Sequence, residues 1–272
     1  MTSAHGVVAP GGVWSSWEFE PVAAAVAITL LILYRRGRSH TDVRAAAFYV
    51  GVGLSLIATM SPLHGLAGTL FAVHMVQHLV LMVVAAPLIA FGRPGAVLAG
   101  FPRGVRRRVG RAARNLRSLR DVARNPVVVW CAGTIVLWAW HLPRLYEIAV
   151  TNDELHAIEH MSFLGASFLM WRLVPGVGER RLEHAAAIGL VFATALQSAA
   201  LGAILAFAAR PLYSIHVAGA TAWGMTPLGD QQLAGAIMWI PPGVIYLATM
   251  AVLLHAWFTR MDAVYSPTEG RG

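Results

Sequence analysis

Between Leu70 and Phe91 the chain reads LFAVHMVQHLVLMVVAAPLIAF, an apolar run without Asp, Glu, Arg or Lys. A helix rising 1.5 Å per residue needs about 20 residues to cross a hydrocarbon core roughly 30 Å thick, so this run is long enough to span a bilayer. Its polar members are His74, Gln77 and His78. They lie where polar groups are costly, and ionisable residues at membrane depth mark function by default. His74 and His78 are four residues apart and share one helical face, with Cβ atoms about 5–6 Å apart, while Gln77 is one residue off that line. The competing reading is two histidines that only hydrogen-bond neighbouring helices.

Only 12% of the residues are charged and 57% are hydrophobic, against about a quarter charged in a soluble domain, which makes this a polytopic membrane protein. All 21 basic residues are arginine, leaving no lysine for Schiff-base or general-base chemistry. Cys131 is the single cysteine, which excludes an internal disulfide and any CxxC metal motif. Metal or redox chemistry must therefore use His, Met and carboxylates. The first twenty residues have no basic n-region, so no cleaved signal peptide is expected.

Seven segments are apolar and long enough to be helices: about 21–34, 45–63, 69–91, 127–142, 155–174, 185–208 and 233–258. The expected fold is all-α, a seven-transmembrane-helix bundle over 21–258, preceded by an extracytoplasmic segment 1–20 and followed by a cytoplasmic tail 259–272. Arginines crowd the loops 35–44, 92–126 and 172–184 and the tail, and only Arg144 and Arg210 fall on the other side, a split of 19 against 2. That asymmetry puts the N-terminus outside and the C-terminus in the cytoplasm. Within the basic loop 92–126, Val105, Val109, Ala112, Leu116, Leu119 and Ala123 recur at three- and four-residue spacing among arginines. The pattern predicts an amphipathic helix over 103–124, lying on the cytoplasmic leaflet against anionic lipid head groups. Orientation and lipid contact account for the sequence pI of about 10.7, so no nucleic-acid partner is expected.

Sorted by membrane side, His64, His74, His78, His141, His156, His160 and His216 all map outward. His156, Glu159 and His160 stand at i, i+3 and i+4 and project from one helical face; the loop before the last segment supplies Asp230, Gln231 and Gln232. Imidazoles suit copper and zinc, and nearby Met shifts the preference toward Cu(I); Met60, Met75, Met161 and Met225 lie on the same side, though methionines at such positions commonly just pack. For His141 and His156 the bland reading is an interfacial snorkelling side chain, and His64 and His216 read as loop residues. His156-x-x-Glu159-His160 also matches an inverted zinc-protease signature, but on three fixed positions that belong to a soluble fold. The main rival is a seven-helix membrane zinc hydrolase of lipid or ester substrates, into which Asp230 and Ser162 could be drawn.

The strings MSPLHGLAGTLFAVHMVQHLVLMVVAAPLIAFGRP, WHLPRLYEIAVTNDELHAIEHMSFL and PLYSIHVAGATAWGMTPLGDQQLAGAIMWIPPG, in that order, resemble the bacterial CtaG family of cytochrome c oxidase assembly factors, from about Ser61 to Trp257. The resemblance implies a multi-pass protein of the bacterial plasma membrane, not an enzyme, that helps form active haem–copper oxidase by supplying copper to one of its copper centres. It implies oxidase subunits as partners, with copper donor proteins as further ones. Some members of that family carry a fused copper-transport domain, which is not expected here. Carried over residue by residue, the resemblance points to His74, His78, His141, His156, Glu159, His160 and Asp230. The expected metal ligands are His74, His78, His141, His156, Glu159 and His160, holding copper or, failing that, zinc. Asp230 and Gln77 are expected behind them, Asp230 either orienting a ligand histidine or capping the last helix.

Overall fold

The computed structural model describes residues 7–17, 21–37, 42–115, 121–178 and 182–265, and among these it contains helices and no strand. Each expected segment is occupied by a helix: α1 (Pro21–Gly37), α2 (Val43–Met60), α4 (Phe71–Leu79) running on into α5 (Ala86–Phe91), α8 (Pro126–Trp140), α10 (Asp153–Trp171), α11 (His184–Ala206) and α13 (Pro227–Tyr265). Four are long and apolar enough to cross a membrane: α2, the continuous stretch Phe71–Phe91, α11 and α13. A fifth arises if α8 is joined to the short α9 (Pro143–Val150), to which it is bent by 76°. The remaining two fall short by length or polarity. α1 has 17 residues, and the first turns of α10 carry Asp153, Glu154, His156, Glu159 and His160.

Local chemistry sets the helix ends. Asp42, Asn125 and Asn152 accept backbone N–H groups in the first turns of α2, α8 and α10, the standard way to satisfy donors that have no partner inside a helix. Pro143 ends α8 and opens α9, because a residue before proline is driven out of the α region. Where the sequence reads as loop, a short helix α3 (Pro62–Ala67) forms. Ser61 caps it through the Leu63 N–H, and Pro62 sits where its missing N–H costs nothing.

Between α4 and α5 the turn widens to a π-helix over Val80–Ala85. The Met82 carbonyl would seek its partner five residues on, at Pro87, which has no N–H; the Trp171 indole of α10 donates to it instead, at 3.0 Å. That bond joins α10 to the helix carrying His74 and His78. α11 and α13 meet backbone to backbone at Gly202 and Gly235, where a Cβ on Gly235 would come within 2.5 Å of the Ala206 nitrogen. On the other flank, Tyr34 of α1 stacks on Phe48 of α2 at 3.9 Å and donates to the Gly92 carbonyl after α5.

After α6 (Gly95–Gly100), the basic stretch forms a helix α7 (Arg103–Asn115), with Val105 and Val109 exposed. Leu116 and Leu119 of the expected amphipathic stripe lie outside the described residues, as do Arg117, Arg120, Arg180 and Arg181; Ala123 lies in a turn. Arg38, His40, Arg271 and parts of the two terminal segments are likewise outside them.

Candidate metal centre

The first two turns of α4 place His74 and His78 on a face that meets α10, and α10 returns His156, Glu159 and His160. All five are buried, His74 and Glu159 completely. Ring centroids lie 4.3 Å apart for His74 and His78, 4.3 Å for His156 and His160, 5.3 Å for His74 and His156, and 5.5 Å for His78 and His160. The Glu159 carboxylate points between the α4 pair, with Oε1 3.9 Å from His74 Nε2 and 3.7 Å from His78 Nε2.

Hydrogen bonding divides these side chains into two kinds. Both ring nitrogens of His74 and of His78, both Glu159 oxygens and the His160 Nε2 are buried without a hydrogen-bond partner among the described residues. Buried polar groups are otherwise nearly always satisfied, and a carboxylate in such a place needs a proton or a cation beside it. A metal ion would supply what the set lacks. Ligand atoms of His74, His156 and Glu159 lie within 4.8 Å of one another, as do those of His64, His156 and His160. Ligands about 2.0–2.3 Å from a tetrahedral ion stand about 3.3–3.8 Å apart, so closing the His74, His156 and Glu159 group on an ion would take side-chain movements of an ångström or less, whereas the His64 group would also have to give up the Gln77 bond or the His64 ring proton.

His141, at the end of α8, lies to one side, 6.3 Å from His78 between ring centroids. Its Nδ1–H donates to the Leu137 carbonyl at 2.7 Å, which leaves the buried Nε2 as a lone pair with no partner. A backbone carbonyl fixing one nitrogen so that the other faces a metal is the usual outer-shell arrangement.

Gln77 and Asp230 sit behind the cluster in different ways. The Gln77 amide nitrogen donates to the Ala58 carbonyl at 2.7 Å and to His64 Nδ1 at 2.9 Å. Because Ala58 fixes which end of the amide faces it, His64 Nδ1 must accept, and the His64 proton resides on Nε2. Among the described residues the Asp230 carboxylate bonds to no histidine and to no N–H of its own helix. Its carboxylate accepts from the Phe71 and Ala72 N–H groups at 2.8 and 3.0 Å, capping α4 from the start of α13.

His64 and His216 read as loop residues in the sequence; the structure makes both part of this region. His64, on α3, stacks on His156 with centroids 5.1 Å apart; Ser61-Pro62, a cap followed by a proline, was the available signal for its helix. His216 is buried in a single 3₁₀ turn, Ser214–His216, just ahead of the short α12 (Val217–Ala222). Burial holds its imidazole below the usual value, which favours the neutral ring. Its Nδ1–H donates to the Thr69 carbonyl and its Nε2 accepts from the Tyr146 hydroxyl at 2.6 Å. Both nitrogens are thus engaged, and its role is to fix Tyr146, whose ring packs 5.1 Å from His74. No sequence pattern marked Tyr146.

Of the methionines on that side, Met75 is buried, Met60 and Met225 are half-buried, and Met161 is 65% exposed on the outside of α10. Residues that a hydrolase would use are engaged elsewhere. Asp230 caps α4, and Ser162 Oγ donates to the Glu159 carbonyl at 2.7 Å while accepting from the Trp140 indole at 2.9 Å.

Fold and cluster together define a helical membrane protein with a buried histidine–carboxylate centre near one end of its bundle. Compared with known proteins, residues 26–260 match the family model described as cytochrome c oxidase caa3 assembly factor, and the chain belongs to that family. Uncharacterized proteins of Mycobacterium bovis and Mycobacterium tuberculosis are each 22% identical over 274 residues, covering 94% of this chain and 41% of their own length. One from Mycobacterium leprae is 23% identical over 278 residues with the same coverage. The chain thus spans about two-fifths of the length of the curated relatives it matches. No solved structure matches it significantly.

Proposed function

We propose that this assembly factor handles copper as cargo and passes it to a copper centre of the oxidase. His74, His78, His156 and His160 hold the ion, with Glu159 and His141 completing or exchanging ligands. The observation that carries this reading is that the ring nitrogens of His74 and His78, the His160 Nε2 and both Glu159 oxygens are buried together without hydrogen bonds among the described residues, a donor set that suits copper and, less selectively, zinc. A carrier must also release its cargo. Glu159 supplies charge for capture, and the His64 edge, only half-buried, is the natural approach. In the same reading α1, α2, α4–α5, α8, α10, α11 and α13 are seven spans, residues 1–20 lie outside, and residues 259–272 lie in the cytoplasm. The arginines of α7 rest on anionic lipid, and oxidase subunits dock at the outer end.

The test is copper uptake by purified protein in detergent. Wild type retains copper through desalting, and the double variant His74→Ala, His78→Ala does not. The same stoichiometry in both would reject the site. Metal analysis of protein from unsupplemented cells separates this from a zinc centre.

A further inference from the structure

Beside the histidine–carboxylate cluster lies a cavity that the reading above does not use. Its walls include Met75 and Met82 from the α4–α5 stretch, Met238 from α13, Ser198 from α11, and, on its edge toward the cluster, His78 and His141. Its free volume is about 30 Å³, against about 10–15 Å³ for one water. Met75, His78 and Met82 follow one another at spacings of three and four, so a single helical stripe supplies them. Met75 and Met82 are about 10 Å apart along the axis at 1.5 Å per residue, which carries the cavity away from the outer end. Pro242 also lines it and deprives the Met238 carbonyl of its helical donor, keeping an electron-rich oxygen near the Met238 side chain.

Resting on the copper reading, we infer that this cavity is a second, thioether station for Cu(I), reached from the outer cluster through His78. The unpartnered Nε2 of His141 and the nitrogens of His78 provide imidazole donors, and the three methionines provide soft sulfur. The lining residues named bear no carboxylate. A divalent ion held only by neutral ligands in such a place is poorly compensated, whereas a soft monovalent ion pays far less desolvation. The ion is Cu(I) at both stations and changes no oxidation state between them: Glu159 supplies charge for its capture at the outer cluster, and the thioethers hold it deeper in by their softness. His78, facing both, is the ligand through which an ion transfers without becoming free.

The experiment is X-ray absorption at the copper edge on the full chain in nanodiscs, loaded anaerobically with Cu(I) and desalted. Wild type shows copper–sulfur scattering beside copper–nitrogen. The triple variant Met75→Leu, Met82→Leu, Met238→Leu, which conserves side-chain volume, loses the sulfur component and retains one Cu(I) fewer per chain. Glu159→Gln keeps the sulfur component. Copper bound by wild type through nitrogen and oxygen alone, or a triple variant with an unchanged complement, overturns the thioether station and leaves the outer cluster standing. Absence of copper from wild type overturns both.

Discussion

Asp230→Ala tests how the cluster is held. The carboxylate accepts the first two N–H groups of α4 at 2.8 and 3.0 Å across a separation of 159 and 158 residues, and it is 1% exposed. Removing it leaves both donors without their acceptor in a buried place. Two hydrogen bonds to a charged group at about 1.5–3 kcal/mol each set an upper range of about 3–6 kcal/mol and a helix cap at about 0.5–2 kcal/mol sets a lower one, so the expected loss lies between them, at about 2–4 kcal/mol. Asp230→Asn retains one oxygen acceptor and is expected to cost about half of that. The readout is hydrogen exchange of the Phe71–His74 amides in detergent, with thermal unfolding beside it. At 1.4 kcal/mol per factor of ten, a loss near 3 kcal/mol speeds exchange at those amides on the order of a hundredfold, with a smaller rise for the asparagine variant and none in α11. Copper retention is expected to weaken in the same order, because His74 lies in the turn that frays. Unchanged exchange of Phe71 and Ala72 in Asp230→Ala would show that the cap does not hold α4 and would refute the reasoning.

Two more outcomes follow from particular contacts. Gly235→Leu sets a side chain against the Ala206 nitrogen and the Gly202 carbonyl, 2.5 and 2.6 Å from its Cβ; overpacking of this kind costs about 1–3 kcal/mol or more, and a lower unfolding midpoint is expected in a detergent melt. In Gln77→Leu the His64 ring loses the donor that fixes its tautomer. Nitrogen NMR is expected to show an Nε2–H imidazole at His64 in wild type and a mixture in the variant; a mixture in both would mean that Gln77 sets nothing.

Much of this protein was written in the one-dimensional pattern. Apolar runs located every long helix, since hydrophobic length is a local property that a bilayer reads directly. Spacing alone put His74 with His78, and His156 with Glu159 and His160, on shared faces, because i, i+3 and i+4 neighbours are fixed by helix geometry. That the two faces meet was decided only by packing, in which the Trp171 indole of α10 reaches the Met82 carbonyl of the helix carrying His74 and His78. The same applies to Asp230, whose partners lie 158 and 159 residues away, and to His216, which binds Tyr146 across a separation of 70 residues. Hydrogen-bond partners joined across such distances leave no periodic trace. The sequence therefore determined which groups would share a helical face, and the tertiary structure decided which of those faces meet.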